Sequence, residues 1–356
     1  MVKYSSLSAG LVKSFRETGL DFSMKKVEMD SKEEGFGSGY PITGLEKFLG
    51  YFDSGKKVAY FPSISITTDF SMTQCAVWKS SKDRVMLDGV ENQSYLKRAT
   101  NALDYFRKAY GISDKLTFYV ERKKRYENAK GLGESAAVAA AVSSALCNMY
   151  FYDPSRALIS RWARYVSGSG TRSAAGGVSL WLSYPGIPES RNHAITIRED
   201  LDDFKIACFP TENTIKTEDA HGTASSSPFY DSWARMKYHQ LKKHAENKFS
   251  VLPLLERAQE DMLQMHSLLL SRGTMVLDKR FIELLAFSSR NKGEFYVTAD
   301  TGPTPVVFFR DIGLLEEAEK IVGSKSTSGK IQNNPPTITQ DFRKSTNSFK
   351  VEDLPK

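Results

Sequence analysis

The sequence predicts an α+β protein of two domains, and three observations carry that expectation. Segments rich in β-branched and aromatic residues alternate with segments whose apolar residues recur at helical spacing. Their order is not a strict strand–helix–strand repeat, so a purely parallel sheet is not expected. The chain has 356 residues, long for one core, which favours about two domains of ordinary size.

Residues 1–38 read as an N-terminal extension: an amphipathic stretch (Leu7, Leu11, Val12, Phe15), a charged segment, then "EEGFGSGY", whose glycines suggest a loop. The first domain is expected over 39–189. Within it, "KVAYFPSISITTDFSMTQCAVWKS" reads as paired strands, and "SYLKRATNALDYFRKAYG" as a helix stopped by Gly111. A strand, "KLTFYVERKK", feeds "GLGESAAVAAAV" at 131–142, a glycine turn opening a helix of small residues. Next, "DPSRALISRWARYVSGSG" starts a helix at Asp-Pro-Ser and ends in a second Gly/Ser turn.

The second domain is expected over 190–323. "FKIACFP" reads as a buried strand, "SPFYDSWARMKYHQLKKHAENK" and "VLPLLERAQEDMLQMHSLLLSR" as long helices, "EFYVTADTGPTPVVFF" as two strands around a turn, and "IGLLEEAEKIVG" as a last helix. Residues 324–356 are polar and rich in Pro, Ser, Thr and Asn, and read as a tail on the surface or without order. No internal repeat is evident.

Composition narrows the function. Forty-nine Lys and Arg against 42 Asp and Glu give +7, a balance suited to nucleic acid, an acidic membrane surface or a small polyanionic substrate. Cys75, Cys147 and Cys208 stand far apart without CxxC spacing, so neither a disulfide framework nor a metal centre is expected. No run approaches the roughly 18 apolar residues of a membrane span, and no signal peptide is visible. A soluble protein of a reducing cytoplasm is the expectation.

Several stretches could carry chemistry, each with a plainer alternative. Lys47 in "PITGLEKFLGYFD" is a candidate cation or a solvated lysine on a core segment. Gly131, Gly133, Glu134 and Ser135 form a turn that suits a phosphate, because a helix N-terminus gathers unpaired N–H groups. Glu134, however, puts a carboxylate where that phosphate would lie. In "VSGSGTRSAAGGVSLW", Ser169 and Thr171 offer hydroxyls and Arg172 a planar fork for carboxylate or phosphate, unless the segment is an ordinary Gly/Ser loop. Asp300 in "VTADTGPTPVV" is a catalytic candidate or a turn cap. His221, in a polar loop, is a candidate anion contact. His266 and Asp261 lie five residues apart on one helix, do not share a face well, and suit a core or capping role.

Taken in order, these pieces resemble the diphosphomevalonate decarboxylase family of the GHMP kinase superfamily over about residues 39–323. Pro41 and "KFLG" resemble the family's proline and Lys-Tyr-Trp-Gly, matching Lys47; "PSISIT", with Ser63 and Ser65, resembles Asn-Ser-Ser-Leu-Ser. "GLGESAA" resembles the phosphate loop Gly-Leu-Ala-Ser-Ser-Ala-Ala, and "GSGTRSAAGG" the Gly-Ser-Gly-Ser-Ala-Cys-Arg-Ser segment, carrying over Ser169 and Arg172. "DTGPT" resembles Asp-Ala-Gly-Pro-Asn and carries over Asp300, while Asp261 to His266 resembles a helix motif ending in His. The departures are Glu134 for the first loop serine, Val138 for a glycine, and the extra 1–38.

The resemblance implies an N-terminal domain like ribosomal protein S5, a ferredoxin-like C-terminal domain, and a cleft between them holding Lys47, Arg172 and Asp300. Family members phosphorylate a tertiary 3-hydroxyl with ATP, then expel phosphate and carbon dioxide. Glu134 would repel a triphosphate, so the chain resembles most the ATP-free members that convert mevalonate 3,5-bisphosphate to isopentenyl phosphate in some archaeal mevalonate routes. No cofactor is then expected. The expected partner is a small phosphorylated mevalonate, with Ser63, Ser65, Ser169, Thr171 and His221 as binding candidates; a homodimer is the assembly entertained. The alternatives are an ATP-dependent diphosphomevalonate decarboxylase or a mevalonate 3-kinase. A basic RNA-binding module is disfavoured, because aromatic and basic residues are not interleaved into a stacking platform.

Overall fold

The structure, a computed structural model, describes residues 4–124, 132–211, 217–302 and 304–352. Helix α1 (Ser5–Glu17) buries Leu11 and Phe15, which lie one helical turn apart, against the core. The glycine-rich segment read as a loop is instead strand β1 (Glu34–Gly39). Its glycines serve close approach rather than turning. A Cβ on Gly35, Gly37 or Gly39 would lie 2.2, 2.2 or 2.5 Å from backbone atoms of Ala145, Ala145 or Ala137.

The strands that follow are β2 (Ile42–Glu46), β3 (Tyr51–Asp53), β4 (Val58–Ala59), β5 (Ser63–Thr67), β6 (Ser71–Ser80), β7 (Arg84–Leu87) and β8 (Val90–Glu91). Helix α2 (Gln93–Tyr110) is capped by the Asn92 side chain and closed by Gly111 at φ +67°. Strand β9 (Lys115–Lys124) then leads toward α3 (Glu134–Tyr150). Alanine and small residues all round α3 match its burial on nearly every side, packed on β1 and β6. Helices α4 (Arg156–Val166) and α5 (Gly170–Ala175) and strands β10 (Val178–Trp181) and β11 (Ala194–Arg198) complete this half.

Five strands form one sheet in the order β1-β6-β9-β7-β8, and four form another in the order β11-β10-β5-β2. The residues expected as paired strands therefore divide. Strand β5 pairs with β2 and β10, whereas β6 pairs with β1 and β9. Alternation shows which face a strand buries; it does not show which distant strand will claim its edge.

The second half contains β12 (Lys205–Cys208), α6 (Thr217–Ser225), α7 (Tyr230–Glu246), α8 (Val251–Leu270), α9 (Lys279–Arg290), β13 (Phe295–Thr298), β14 (Val306–Phe309) and α10 (Ile312–Val322). The expected two strands around a turn are present, with Thr298 opposite Val306. The polar segment over 324–352 contains regular structure: β15 (Thr327–Gly329) completes a sheet β13-β14-β12-β15, and α11 (Gln340–Glu352) buries Phe342 and Thr346. Its backbone joins the other half as well, through Gln332 N–H to Thr67 O at 3.0 Å and Gly177 N–H to Gln332 O at 2.8 Å. A polar composition hid these anchors, because two buried residues on one helix leave little periodicity to read.

Helix α8 positions the site. It packs against β2 of the first half and β13 of the second, so both halves share one rigid element. The three cysteines are buried, and none forms a disulfide among the described residues. Among the described residues, no helix is long and apolar enough to cross a membrane. Gly37→Ala is expected to lower the unfolding free energy by about 1–3 kcal/mol, the range for an overpacked core. Gly10→Ala, on exposed α1 with nothing within 4 Å of its new Cβ, should leave it unchanged or slightly raised. Denaturant midpoints of the two variants check the pair.

Candidate active site

Strand β2 ends at Glu46, and the chain then turns Lys47 inward. The register between β2 and β5 shifts between Gly44 and Glu46, and the Lys47 side chain is only 2% exposed. Its ammonium donates to Asp300 Oδ1 at 2.9 Å and to the Gly44 carbonyl. Asp300, just beyond β13, also accepts the Gly44 N–H at 3.1 Å. That approach requires the glycine: a Cβ on Gly44 would stand 2.8 Å from Asp300 Oδ1. Lys47 is thus no solvated lysine, and Asp300 reaches across to the other half of the protein. Burial pushes the Lys47 ammonium down, opposed by the carboxylates of Asp300 and Asp261.

Arg172 lies on α5 and is 3% exposed. It donates to Ser63 Oγ at 2.9 Å, while its Nε makes no hydrogen bond among the described residues. The guanidinium sits 5.9 Å from the ring centroids of both Phe48 and Trp181. Burial pushes it down to about 10, with Asp300 opposing, so it stays a cation at neutral pH. A buried fork with an unpaired donor is poised for a planar anion.

A cleft of about 230 Å³ is lined by Lys47, Arg172 and Asp300, together with Ser169, His221 and Glu134. His221 lies on α6 rather than in a loop, because Ala220 and Ala224 repeat one turn apart on the buried side. Its Nδ1 accepts the Gly50 N–H at 2.8 Å, and the ring lies 4.9 Å from Phe48 and 4.8 Å from Tyr51 between centroids. Burial, aided by Lys57, pushes it down to about 3. The ring is therefore neutral at physiological pH, and Nε2 carries its proton.

Glu134 is the first residue of α3, and it and Ser135 both line the cleft. Its carboxylate lies 3.4 Å from the Arg122 guanidinium of β9. Gly133 before it has φ +74°, and a Cβ there would fall 2.2 Å from Ile42 O, so only glycine fits the turn. Gly131, like Arg125 and Pro303, lies outside the described residues. The remaining hydroxyl candidates do not line the cleft. Ser63 holds Arg172, Thr171 donates to Gly168 O at 2.8 Å within its own turn, and Ser65 is fully buried in β5 beside Gly44. Alternation along β5 and the tight turn at 168–171 send those side chains into the scaffold. Ser169 remains at the cleft, hydrogen-bonded to Ser167 Oγ at 2.9 Å.

Sequence reasoning missed the charges beneath the cleft. Asp261, read as a core or capping residue, is fully buried and accepts the Lys47 main-chain N–H at 2.6 Å and Trp233 Nε1–H at 2.9 Å. Lys237 of α7 bridges Asp261 and Glu46, and Glu46 also meets His244 Nε2 at 2.9 Å and Arg257 at 3.3 Å. Burial alone would raise the Glu46 carboxyl; Lys237, His244 and Arg257 outweigh it and hold it below the usual range. His266 is also buried there, and burial together with the Lys47 charge pushes it down to about 4. The available signal was two acidic residues inside apolar patterns, but the contacts that join them to the other half, Glu46 to Lys237 and Asp261 to Lys47, span 191 and 214 positions.

The α+β scaffold thus brings two buried cations, Lys47 and Arg172, and the Asp300 carboxylate to one cleft. Residues 39–186 match the family model of the diphosphomevalonate decarboxylase-like N-terminal domain. The chain is 41% identical to the mevalonate 3,5-bisphosphate decarboxylase of Thermoplasma volcanium, over 88% of this chain and 87% of that protein. It is 39% identical to the Thermoplasma acidophilum protein of the same name, over 86% and 78%. The chain belongs to the diphosphomevalonate decarboxylase family. Its fold is also that of mevalonate diphosphate decarboxylase from Enterococcus faecalis (TM-score 0.74, 21% identity, 85% of this chain and 97% of that one). It matches mevalonate-3-kinase from Thermoplasma acidophilum likewise (0.67, 17%, 86% and 100%).

Lys237→Met leaves two buried carboxylates short of a cation. It is expected to cost about 3–5 kcal/mol of stability, the range for breaking a buried pair, measured by denaturant unfolding.

Proposed function

We propose that this chain converts mevalonate 3,5-bisphosphate to isopentenyl phosphate, carbon dioxide and inorganic phosphate without consuming ATP. The observation that carries the reading is the convergence of Lys47, Arg172 and Asp300 on one cleft, with Glu134 at the helix N-terminus that borders it. In the reaction the bond from C1 to C2 breaks, its electron pair becomes the C2–C3 double bond, and the C3–oxygen bond leaves with the phosphate. Positive charge builds at C3 and negative charge on the departing phosphate.

Fixed charges near those centres lower the barrier because they need no reorganisation. Arg172, which lines the cleft, offers its guanidinium to the substrate carboxylate and orients the bond to be broken. Lys47, a compact ammonium, neutralises the leaving phosphate. Asp300 supplies negative charge opposite C3. His221, neutral with its proton on Nε2, donates to a phosphate oxygen without depending on pH above its own titration. Glu134 supports independence from ATP, since it sets a carboxylate, paired with Arg122, at the helix N-terminus that would otherwise meet a triphosphate. Three buried cysteines outside any disulfide fit a reducing cytoplasm.

Arg172→Lys is expected to lower kcat/KM at least about tenfold, on the order of 1.4 kcal/mol of transition-state stabilisation, because an ammonium lacks the planar fork. Steady-state kinetics with the bisphosphate measure it, and unchanged turnover removes Arg172 from the mechanism. Independence from ATP is tested by supplying the bisphosphate after nucleotide removal, following carbon dioxide and phosphate together, and titrating ATP by calorimetry. One-to-one release with no heat from ATP is expected. Strict dependence on ATP overturns the reading in favour of the ATP-dependent chemistry of the family.

A further inference from the structure

The mechanism uses the Lys47 ammonium but not the buried charges behind it. Asp261 is the nearest of these: Oδ2 accepts the Lys47 main-chain N–H at 2.6 Å, and Oδ1 accepts Trp233 Nε1–H at 2.9 Å and lies 3.3 Å from Arg257. With Lys237 on Oδ2 as well, this carboxylate is held from several directions and cannot rotate away without breaking them together. Its helix packs on both β2, which leads into Lys47, and β13, which leads into Asp300.

We infer that Asp261 is a positioning residue for the reaction: it fixes the Lys47 backbone from behind, so that the ammonium meets Asp300 and the cleft in one geometry. The inference rests on the reading of Lys47 as the group that receives the leaving phosphate. Asp261 touches no substrate. It acts through the direction in which Lys47 leaves its strand, and a small misplacement of a charge at a reacting centre is costly.

Asp261 has a second effect on the same lysine. The charged groups facing Lys47 are Asp300 beyond β13, Asp261 and His266 on α8, and Lys237 on α7. Burial favours the neutral amine, the two carboxylates favour the ammonium, and Lys237 opposes it. Removing the Asp261 charge therefore lets Lys47 lose its proton at lower pH. An ion pair whose charges did not reach Lys47 would change stability and leave that titration alone.

Asp261→Asn in the full chain keeps the size of the side chain and an oxygen for the Lys47 N–H while removing the charge. KM should stay within about twofold and kcat fall at least about tenfold. The pH at which kcat halves on its alkaline side should fall by about one unit, the low end for a charge at this range. The Lys47 ammonium signal of 15N-lysine-labelled protein, assigned by its absence in Lys47→Met, should vanish at correspondingly lower pH. A folded variant with wild-type kcat, alkaline limb and Lys47 titration overturns the inference. If wild type does not convert the bisphosphate, the functional reading fails while the NMR titration still decides the role of Asp261. If Asp261→Asn does not fold, Asp261→Asn/Lys237→Met removes one buried charge of each sign; because the two charges act oppositely on Lys47, it answers to KM and kcat alone, and a folded double variant with wild-type kcat overturns the inference.

Discussion

The buried ionic cluster of Glu46, Lys237, His244, Arg257 and Asp261 is the constraint on which the rest of the molecule depends. Glu46 belongs to the first half, and the other four belong to α7 and α8 of the second. Taking such charges from water costs several kcal/mol each unless each meets its partners, so the cluster tolerates essentially one arrangement. Apolar packing between α8 and the sheets would permit sliding. The ions do not. Because Glu46 directly precedes Lys47, the register they impose passes by one peptide bond into the cleft.

Above that base, the cleft places two cations where burial works against them. Lys47 and Arg172 are both pushed down by desolvation, and both are supported by Asp300. A dry site strengthens each charge's field on a bound anion, since little solvent screens it. The Asp300 carboxylate opposes the effect of desolvation at both cations. Polarity alone would not distinguish this from a surface ion pair; the 2% exposure of Lys47 does.

Much of the fold was legible in the sequence. Helices with clear local signals, such as α2 with Gly111 at its end or α4 with its Asp-Pro-Ser start, were read from local chemistry that the structure keeps. The glycines of β1 misled because a glycine that admits a turn also admits a helix at close range, and only the presence of α3 distinguishes the two. The segment after 323 misled for a related reason: its anchors are hydrogen bonds to Thr67 and Gly177 and one buried Phe342, none of which alters composition.

The sequence by itself determined the alternation of strands and helices, the family, and the candidates Lys47, Arg172, Asp300 and Glu134, because motif order and local spacing are written along the chain. Only the tertiary structure decided that these four line one cleft, that Ser63 supports Arg172 while Thr171 and Ser65 turn into the scaffold, and that Asp261 stands behind Lys47. The physical reason is separation. Lys47 and Asp300 are 253 positions apart, and their 2.9 Å contact exists only because α8 packs on strands from both halves at once. A buried charge likewise carries no local signature of its partner: Glu46 in isolation is an ordinary acidic residue at the end of a strand, and Lys237 across the core makes it part of the site's foundation.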